Sequence, residues 1–221
     1  MSSFILKDLC YSYNSKQREI ISNMNYEFKD NTVYSIIGKS GAGKTTLLSL
    51  LSGLAKPTGG SILFDGKDIS KIDPFKYRSN LVGVIFQSFN LLLHLTAIEN
   101  VILSMDISNK KIANKKEKAL EILNSVGLDE ATANRRVLEL SGGEQQRVAI
   151  ARSLSYDPHV ILADEPTGNL DGETESSIVK IFQKLAHEQG KCIILVTHSP
   201  AVASMCDVVY ELSSKNKNNI A

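Results

Sequence analysis

Short apolar runs alternate with longer amphipathic segments along this chain. Four runs of four or five mostly apolar residues have the length of buried strands, and they cover residues 33–37, 160–163, 193–197 and 208–212. Between the second and third runs, apolar side chains recur with helical spacing at Ile178, Ile181, Phe182 and Leu185, before Gly190. Strands that alternate with helices predict an α/β fold, in which helices cover both faces of a mostly parallel sheet.

The N-terminal third has a different pattern, typical of antiparallel strands. Every second residue over 24–28 is apolar, as in a strand with one buried face. Residues 61–64 and 67–69 flank Asp65-Gly66, a dipeptide that favours a tight turn between two paired strands. We therefore expect an N-terminal antiparallel β subdomain beside the parallel sheet.

The middle of the chain is predicted to be mostly helical. This pattern extends over 73–134 and contains one strand, at 81–86. Residues 112–126 place apolar side chains on one side of a helix and lysines on the other. We expect a single domain over 1–221, into which an α-helical subdomain is inserted at about 88–155.

Composition and charge exclude several classes of protein. The 221 residues are 43% hydrophobic and 22% charged, which does not fit a collagen, a disordered chain or a disulfide-rich mini-protein. The formal net charge is +1, so we expect no nucleic-acid partner. The excess of lysine between Lys110 and Lys118 is better explained as a solvated helix face than as a polyanion site.

Features of membrane-spanning and secreted proteins are missing from the pattern. No apolar run approaches the roughly 18 residues of a membrane span, and the first residues do not resemble a secretory signal. Cys10, Cys192 and Cys206 lack metal-binding spacing, so we expect reduced thiols in a cytosolic protein. The tail, 213–221, is rich in Ser, Lys and Asn and is expected to be flexible.

A glycine-rich segment between an apolar run and a helical pattern at 45–54 carries the strongest chemical signal. Residues 38–45 read GKSGAGKT and match the phosphate-loop pattern G-x-x-x-x-G-K-[ST] in full. Its backbone N–H groups and the helix N-terminus favour an anion, Lys44 can reach the β- and γ-phosphates, and Thr45 can ligate Mg²⁺. The predicted nucleotide-binding residues here are Gly38, Ser40, Gly41, Ala42, Gly43, Lys44, Thr45 and Thr46. The rival interpretation, a glycine-rich turn of a dinucleotide-binding fold, does not explain all eight matched positions.

Two carboxylates follow the apolar run at 160–163. Asp164 is predicted to hold Mg²⁺ through water, and Glu165 to accept a proton from the attacking water. An acidic pair in a solvated loop is the rival interpretation, but the four apolar residues before the pair argue against it. The guanine-reading pattern Asn-Lys-x-Asp is missing, which disfavours a GTPase.

The segment 140–147, LSGGEQQR, resembles a motif of a known protein family. Together with the phosphate loop, Gln87, Asp164-Glu165, Asp171 and His198, it makes the chain resemble the ATP-binding subunit of an ABC transporter, over about 4–212. The resemblance implies a P-loop NTPase core that binds ATP and Mg²⁺. It also implies a homodimer that sandwiches two ATP molecules, an integral membrane permease as partner, and a peripheral location at the cytoplasmic face of the membrane.

Ser141, Gly142 and Gly143 precede a helical pattern. Serine favours a helix N-cap and the glycines leave backbone N–H groups bare, so a capped structural helix and an anion-binding helix start are equally consistent with the spacing. The resemblance implies the second role, in which this segment contacts the γ-phosphate of the ATP held by the other subunit.

Four further residues take their predicted roles from the resemblance. Gln87, which alone would more often be a solvated amide, would contact Mg²⁺ and the attacking water. His198, otherwise a structural histidine, would contact the γ-phosphate and orient the catalytic centre. Asp171 would lie in the loop that crosses the dimer interface, or cap the next helix, or both. Tyr13 would stack on adenine, with Tyr11 as its rival.

Segments 83–92, 94–101 and 163–171 resemble one group within the family, which serves lipoprotein release, macrolide and antimicrobial-peptide export, and a cell-division complex. Leu93 and Leu138 stand where that group usually has proline, and Asn31 where a glycine often makes a turn. The resemblance implies an ATP-hydrolysing subunit that drives a permease to export or extract a peptide, lipoprotein or antimicrobial. The alternative is a cell-division-type ATPase that transmits force without transport.

Three more distant functions are disfavoured. A DNA-repair ATPase would need coiled coils or zinc modules, a translation-associated protein normally has two cassettes, and a small-molecule kinase lacks the LSGGEQQR segment. The apolar residues after Gln87, among them Phe89 and 91–93, have no amphipathic period. They are expected either to dock the permease or to cover the core of the helical subdomain.

Overall fold

The computed structural model describes residues 2–13, 19–108 and 110–212. The tail, for which flexibility is predicted, lies outside these residues. The strands are β1 Ser2–Tyr11, β2 Ile21–Met24, β3 Glu27–Lys29, β4 Thr32–Gly38, β5 Gly59–Phe64, β6 Lys67–Asp68, β7 Val82–Ile85, β8 Val160–Asp164, β9 Cys192–Val196 and β10 Val208–Leu212. The helices are α1 Lys44–Leu51, α2 Pro74–Lys76, α3 Ala97–Ile107, α4 Lys115–Ser125, α5 Glu130–Ala133, α6 Gly142–Leu154, α7 Gly172–His187 and α8 Pro200–Ser204.

Two sheets form the framework, and both were predicted. One has the strand order β10-β4-β9-β8-β7, and every neighbouring pair in it is parallel. The other is antiparallel: β1 pairs with β2, β3 and β5, and β5 pairs with β6. The predicted α/β fold, with a parallel sheet and an N-terminal antiparallel part, is therefore confirmed.

Alternate side chains of the parallel sheet enter two separate cores. Ile161, Ala163 and Leu195 pack with α6 and α7 in one core, which extends into the helices α3 and α4. Leu162 and Val196 point the opposite way, into a core shared with α1 and the antiparallel sheet. Burial on both faces explains why these strands are apolar at nearly every position, as the sequence pattern indicates.

The helices between β7 and β8 pack on one another. α3 contacts α4 and α6, and α4 also contacts α5 and α6. A capping box starts α3, in which the Thr96 side chain accepts from the Glu99 backbone N–H while the Glu99 carboxylate accepts from the Thr96 backbone. The boundary of 88–155 for an inserted subdomain stays a prediction. Among the described residues, no helix is long and apolar enough to cross a bilayer.

Three predicted elements differ in detail from the structure. The apolar alternation over 24–28 spans the end of β2 and the start of β3 and is not one continuous strand. β1 forms a separate antiparallel pairing with each of them, and each pairing has a shift in register. The helix predicted at 112–126 begins only at Lys115, since the Asn114 side chain caps it. The helix predicted at 45–54 ends at Leu51, and Gly53 follows with a left-handed φ of 68°.

Two turns match the chemistry of their residues. Asp65 and Gly66 both have positive φ, 46° and 77°, which is the geometry of the predicted hairpin turn. Asn31, in the position where a glycine often stands, adopts a φ of 57° before β4. Asparagine tolerates this left-handed conformation better than most residues, so the departure leaves the turn intact.

Candidate functional site

The carboxyl ends of four parallel strands meet at one edge of the sheet. Strand register pairs Ile36 with Val196, and Val196 with Asp164. It also pairs Ile85 with Ala163, so that Gln87, two residues after Ile85, follows its strand at the level of Glu165. Ligands of open α/β sheets bind at such an edge, and here it carries the phosphate loop and the predicted catalytic residues.

The phosphate loop connects β4 to α1, and close packing explains two of its glycines. A Cβ on Gly38 would lie 2.5 Å from the backbone oxygen of Leu212. A Cβ on Gly43 would lie 2.9 Å from the Ile20 side chain, and Gly43 has a left-handed φ of 97° at the N-cap of α1. A side chain at Gly38 would displace the backbone of β10, and one at Gly43 would displace the Ile20 side chain and strain the left-handed backbone.

Lys44 folds back over the loop. Its Nζ donates to the backbone oxygens of Gly38, at 2.8 Å, and Lys39, at 3.3 Å. Burial lowers the pKa of this ammonium, while the nearby carboxylates of Glu165 and Asp164 raise it. The cation is therefore held at the centre of the loop, between the backbone that would wrap a phosphate and the carboxylates beyond it.

Asp164 and Thr45 face each other across the loop. The Thr45 hydroxyl donates to Asp164 Oδ1 at 3.4 Å. Burial raises the pKa of the Asp164 carboxyl above its usual range, and the hydrogen bond from Thr45 partly offsets this. Two oxygen atoms of the kind that hard cations prefer thus lie close together, at the first turn of α1 and the end of β8.

Glu165 is held in an uncommon backbone conformation. Its φ is 45°, in the left-handed region, and its N–H donates to the backbone oxygen of Val196 at 3.0 Å. This geometry directs the carboxylate toward His198, whose Nε2 lies 2.9 Å from Glu165 Oε1. A non-glycine residue in this conformation is typical of a site where position matters more than backbone energy.

Gly168 approaches the side chains of two predicted catalytic residues. A Cβ built on it would lie 3.5 Å from Glu165 Oε2 and 3.6 Å from Gln87 Nε2. Gly168 is not among the site residues predicted from the sequence. Gly168 comes close to these side chains only because the loop after β8 packs against the segment after β7 in the folded chain. The local spacing of residues does not predict that contact.

Tyr13 and Tyr11 differ in how far their side chains are exposed. Tyr13 is 63% exposed, and its hydroxyl lies 3.3 Å from Thr46 Oγ1, at the start of α1. Tyr11 packs against the antiparallel core, with its ring in edge contact with Tyr13. The ring that is free to stack on a ligand near the phosphate loop is that of Tyr13.

Ser141 caps α6, so the structural interpretation of this segment holds. Glu144 Oε2 accepts from the Ser141 backbone N–H at 2.7 Å and from its hydroxyl at 2.8 Å, which lowers the pKa of the Glu144 carboxyl. Ser141 and Gly142 are exposed. A Cβ on Gly143 would lie 2.7 Å from Thr174 Cγ2, so this glycine also lets α6 pack against the start of α7.

Asp171 caps the neighbouring helix, as one of the two sequence interpretations predicts. Its Oδ1 accepts from the Thr174 backbone N–H at 2.9 Å, and its Oδ2 from the Thr174 hydroxyl at 3.1 Å. These hydrogen bonds hold the pKa of the Asp171 carboxyl below its usual range. Its second predicted role, at a dimer interface, stays a prediction.

The predicted site residues thus form two groups. The phosphate loop, Asp164, Glu165, Gln87 and His198 share one edge of the parallel sheet. Ser141, Gly142 and Gly143 lie at the junction of α6 and α7. Among the described residues, no hydrogen bond or ion pair joins the second group to the first.

Comparison with known proteins places the chain in a family. The family model described as ABC transporter matches residues 21–168. The ABC transporter ATP-binding protein YclH of Bacillus subtilis is 44% identical over 224 residues, covering 100% of this chain and 99% of YclH. The lipoprotein-releasing system ATP-binding protein LolD of Protochlamydia amoebophila is 40% identical over 203 residues, covering 90% of this chain and 89% of LolD.

A longer relative and two solved structures agree with this. The macrolide export ATP-binding/permease protein MacB of Syntrophobacter fumaroxidans is 38% identical over 205 residues, which are 90% of this chain and 28% of MacB. The dimeric structure of the bacterial ABC transporter cassette MJ0796 has a TM-score of 0.87, with 36% identity and 98% of each chain covered. The same cassette in a post-hydrolysis state, bound to ADP and Pi, has a TM-score of 0.86, with 35% identity and 98% of each chain covered.

The sequence motifs and these relatives agree on the family. The chain belongs to the ABC transporter family as one of its ATPase subunits, which bind ATP and hydrolyse it.

Proposed function

We propose that two copies of this chain close around two ATP molecules, and that this closure drives a membrane permease. The observation that carries the proposal is the separation of the two groups of site residues. In the part of the chain that the structure describes, no hydrogen bond or ion pair links the phosphate loop to 141–143, so in this proposal the segment does not serve the ATP of its own chain. A second copy, related by a closed two-fold axis, would supply that segment in each site.

The exposed segment before α6 suits this role. Ser141 and Gly142 lie at the N-terminus of a 13-residue helix, where backbone N–H groups and the helix dipole favour an anion. MJ0796, which resembles this chain over nearly its whole length, is dimeric in its solved structure. In this proposal, the segment contacts the γ-phosphate of the ATP that the partner holds.

Within each site, each of the chain's own residues has a separate proposed role. Lys44 would exchange its contacts with the loop oxygens for the β- and γ-phosphates. Glu165 would accept a proton from the attacking water, while His198 orients its carboxylate and contacts the γ-phosphate. Gln87, close to Gly168 and level with Glu165, would contact the same water. Tyr13 would stack on adenine through its exposed ring.

The oxygen donors present fit Mg²⁺. Mg²⁺ at phosphate sites takes one or two protein oxygens, and the phosphates and water complete the shell. Thr45 Oγ1 and Asp164 Oδ1 are such a pair, and the half-buried Asp164 carboxylate needs a nearby positive charge. Gln87 is the third proposed ligand. When bound, the ion would neutralise charge on the phosphates during transfer.

The permease would dock on the segment after Gln87 and on its surroundings. Phe89 and Leu91 pack against the helical core, as one sequence interpretation expects. Leu92 and Leu93 are 50% and 45% exposed, which leaves them free for a partner. We infer a peripheral location at the cytoplasmic face of the membrane, as this docking requires.

The transported material is proposed from relatives. LolD is named for lipoprotein release and MacB for macrolide export, and both cover 90% of this chain. We propose that this subunit likewise powers export or extraction of a peptide, a lipoprotein or an antimicrobial compound.

A complementation experiment tests the shared site. Lys44→Ala chains and Ser141→Arg chains are each expected to be inactive, because each homodimer lacks one half of both sites. Mixed together, they form one composite site with both halves intact, so ATPase activity should return in part. A Ser141→Arg chain that hydrolyses ATP as fast as the wild type would contradict the proposal.

A further inference from the structure

Two consecutive residues shortly after Gln87 adopt left-handed backbone conformations. Phe89 has a φ of 59° and Asn90 a φ of 51°. Asparagine tolerates this region, but a bulky aromatic residue there is a clear outlier. Such a conformation persists only where surrounding contacts determine it.

The Phe89 ring packs against the helical core, and the N–H groups of Phe89 and Asn90 donate to backbone oxygens of Phe86 and Ser88. One side chain on α6 supplies the contacts to the two carbonyl oxygens. The guanidinium of Arg152 donates through Nη2 to the backbone oxygen of Phe89 at 2.8 Å, and through Nη1 to the backbone oxygen of Asn90. The planar guanidinium presents its donors in a fixed fork, so it defines the direction of both carbonyls at once. A lysine ammonium in the same place would lack that geometry.

The surroundings of Arg152 are unusual for a charged group. Burial lowers the pKa of its guanidinium, and the nearby Tyr156 partly offsets this. Within the described ranges, no ion pair joins Arg152 to a carboxylate. Arg152 is half-buried, and the two carbonyl oxygens compensate part of the hydration that its guanidinium loses there. If packing were the only requirement, an uncharged residue would fill this space without the desolvation penalty of a guanidinium.

Arg152 lies on the same helix as the segment proposed to contact the partner's ATP. α6 runs from Gly142 to Leu154, and Ser141 caps its start. From Ser141 to Arg152 this rigid helix spans about 16 Å at 1.5 Å per residue. The residues beyond Asn90 are held as well, because Asn100 on α3 accepts from the Leu92 N–H at 2.9 Å and donates to its oxygen at 3.1 Å.

We infer that Arg152 is a positioning residue for Gln87. It ties the segment that carries Gln87 to α6, so that a displacement of the start of α6 moves Gln87 relative to Glu165. The displacement of α6 reaches Gln87 through the left-handed backbone of Phe89 and Asn90, to which Arg152 is bonded. The inference rests on the roles proposed above for Gln87 and Ser141.

A double-mutant cycle on the full chain tests it. Arg152→Met, Gln87→Ala and the double variant are compared in steady-state ATP hydrolysis. Arg152→Met should lower kcat on the order of ten-fold and leave KM for ATP within about two-fold, because the phosphate loop is untouched. The double variant should be no slower than Gln87→Ala, since Arg152 acts through Gln87. Arg152→Lys should recover part of the loss.

Lys191→Met is the matched control. Lys191 is a buried cation that donates to the backbone oxygen of Pro158 at 2.9 Å and also pairs with Asp157, and it lies just before β9, at the end of the sheet away from Gln87. Its replacement should lower thermal stability and leave kcat unchanged. A loss of kcat in this control equal to that in Arg152→Met would show that the effect is general loosening, and would overturn the inference.

The remaining outcomes separate the inference from the proposed function. If Gln87→Ala hydrolyses ATP at the wild-type rate, the role proposed for Gln87 is wrong. If Gln87→Ala is slow and the double variant shows the product of the two losses, only the role of Arg152 is wrong. Should Arg152→Met fail to fold, Arg152→Lys runs the same cycle, and wild-type kcat in that folded variant counts against the inference.

Discussion

The imidazole Nε2 of His198 lies 2.9 Å from Oε1 of Glu165, at the carboxyl ends of two neighbouring parallel strands. The histidine follows β9 and the carboxylate follows β8, so the pair depends on the register between these strands. The left-handed backbone of Glu165 completes the approach. One side chain that can accept a proton is thus held by another that can orient it.

Replacement of Lys44 by alanine should abolish ATP turnover, because it removes the cation held at the centre of the phosphate loop. We expect a loss on the order of 10²-fold or more in phosphate release. Lys56→Ala is the control, since Lys56 is exposed beyond the end of α1. Undiminished phosphate release by the Lys44 variant would refute its assignment.

The size of the residue at position 168 should set the rate of hydrolysis. A Cβ there makes ordinary contacts with Glu165 and Gln87, so Gly168→Ala should retain most activity. Gly168→Leu adds atoms that displace both side chains, so kcat should fall at least ten-fold while ATP affinity stays near the wild type. Equal kcat in the two variants would show that this approach has no part in catalysis.

Asp164→Asn should make the nucleotide-free chain more stable and less active. Burial raises the pKa of this carboxyl in the folded state, so its charged form destabilises the fold at neutral pH. The amide removes that penalty, and we expect a gain of up to about 1 kcal/mol in the free energy of unfolding. The gain should vanish as pH falls below the unfolded pKa of about 3.9, where the wild-type carboxyl is neutral in both states. Thermal unfolding at several pH values measures this, and a gain that grows toward acid would have the wrong sign.

Leu92→Glu should leave ATP binding intact and weaken association with the permease, because it places a charge on the proposed docking surface. Leu54→Glu is a matched control: Leu54 is 58% exposed, but it lies beyond the end of α1. Pull-down of the permease by each variant, with transport in reconstituted vesicles, decides the matter. Equal recovery and equal transport for wild type and Leu92→Glu would place the docking surface elsewhere.

Local pattern was sufficient for the features that depend on neighbours in sequence. The spacing of Gly38, Gly43 and Lys44 predicts a loop between a strand and a helix, and the structure has one there. Ser141 and Asp171 are good N-cap residues, and both cap helices. Glu165 and His198 each follow an apolar run, which places them at one edge of a parallel sheet without further information.

The sequence pattern does not predict features that depend on contacts between residues far apart in the chain. The left-handed conformations of Glu165 and Phe89 are not favoured by their residue types, so only the surrounding structure determines them. The bond from Arg152 to Phe89 spans 63 residues, and the approach of Gly168 to Gln87 joins two different loops. The split between β2 and β3 likewise follows from how β1 pairs with each of them.

The shared ATP site is the central claim, and a Glu165→Gln variant tests it most directly. The amide keeps the shape of the side chain but cannot accept a proton, so ATP should bind and remain uncleaved. Size-exclusion chromatography with and without ATP should then show a dimer only when ATP is present. A Glu165→Gln chain that binds ATP and stays monomeric would contradict the shared site.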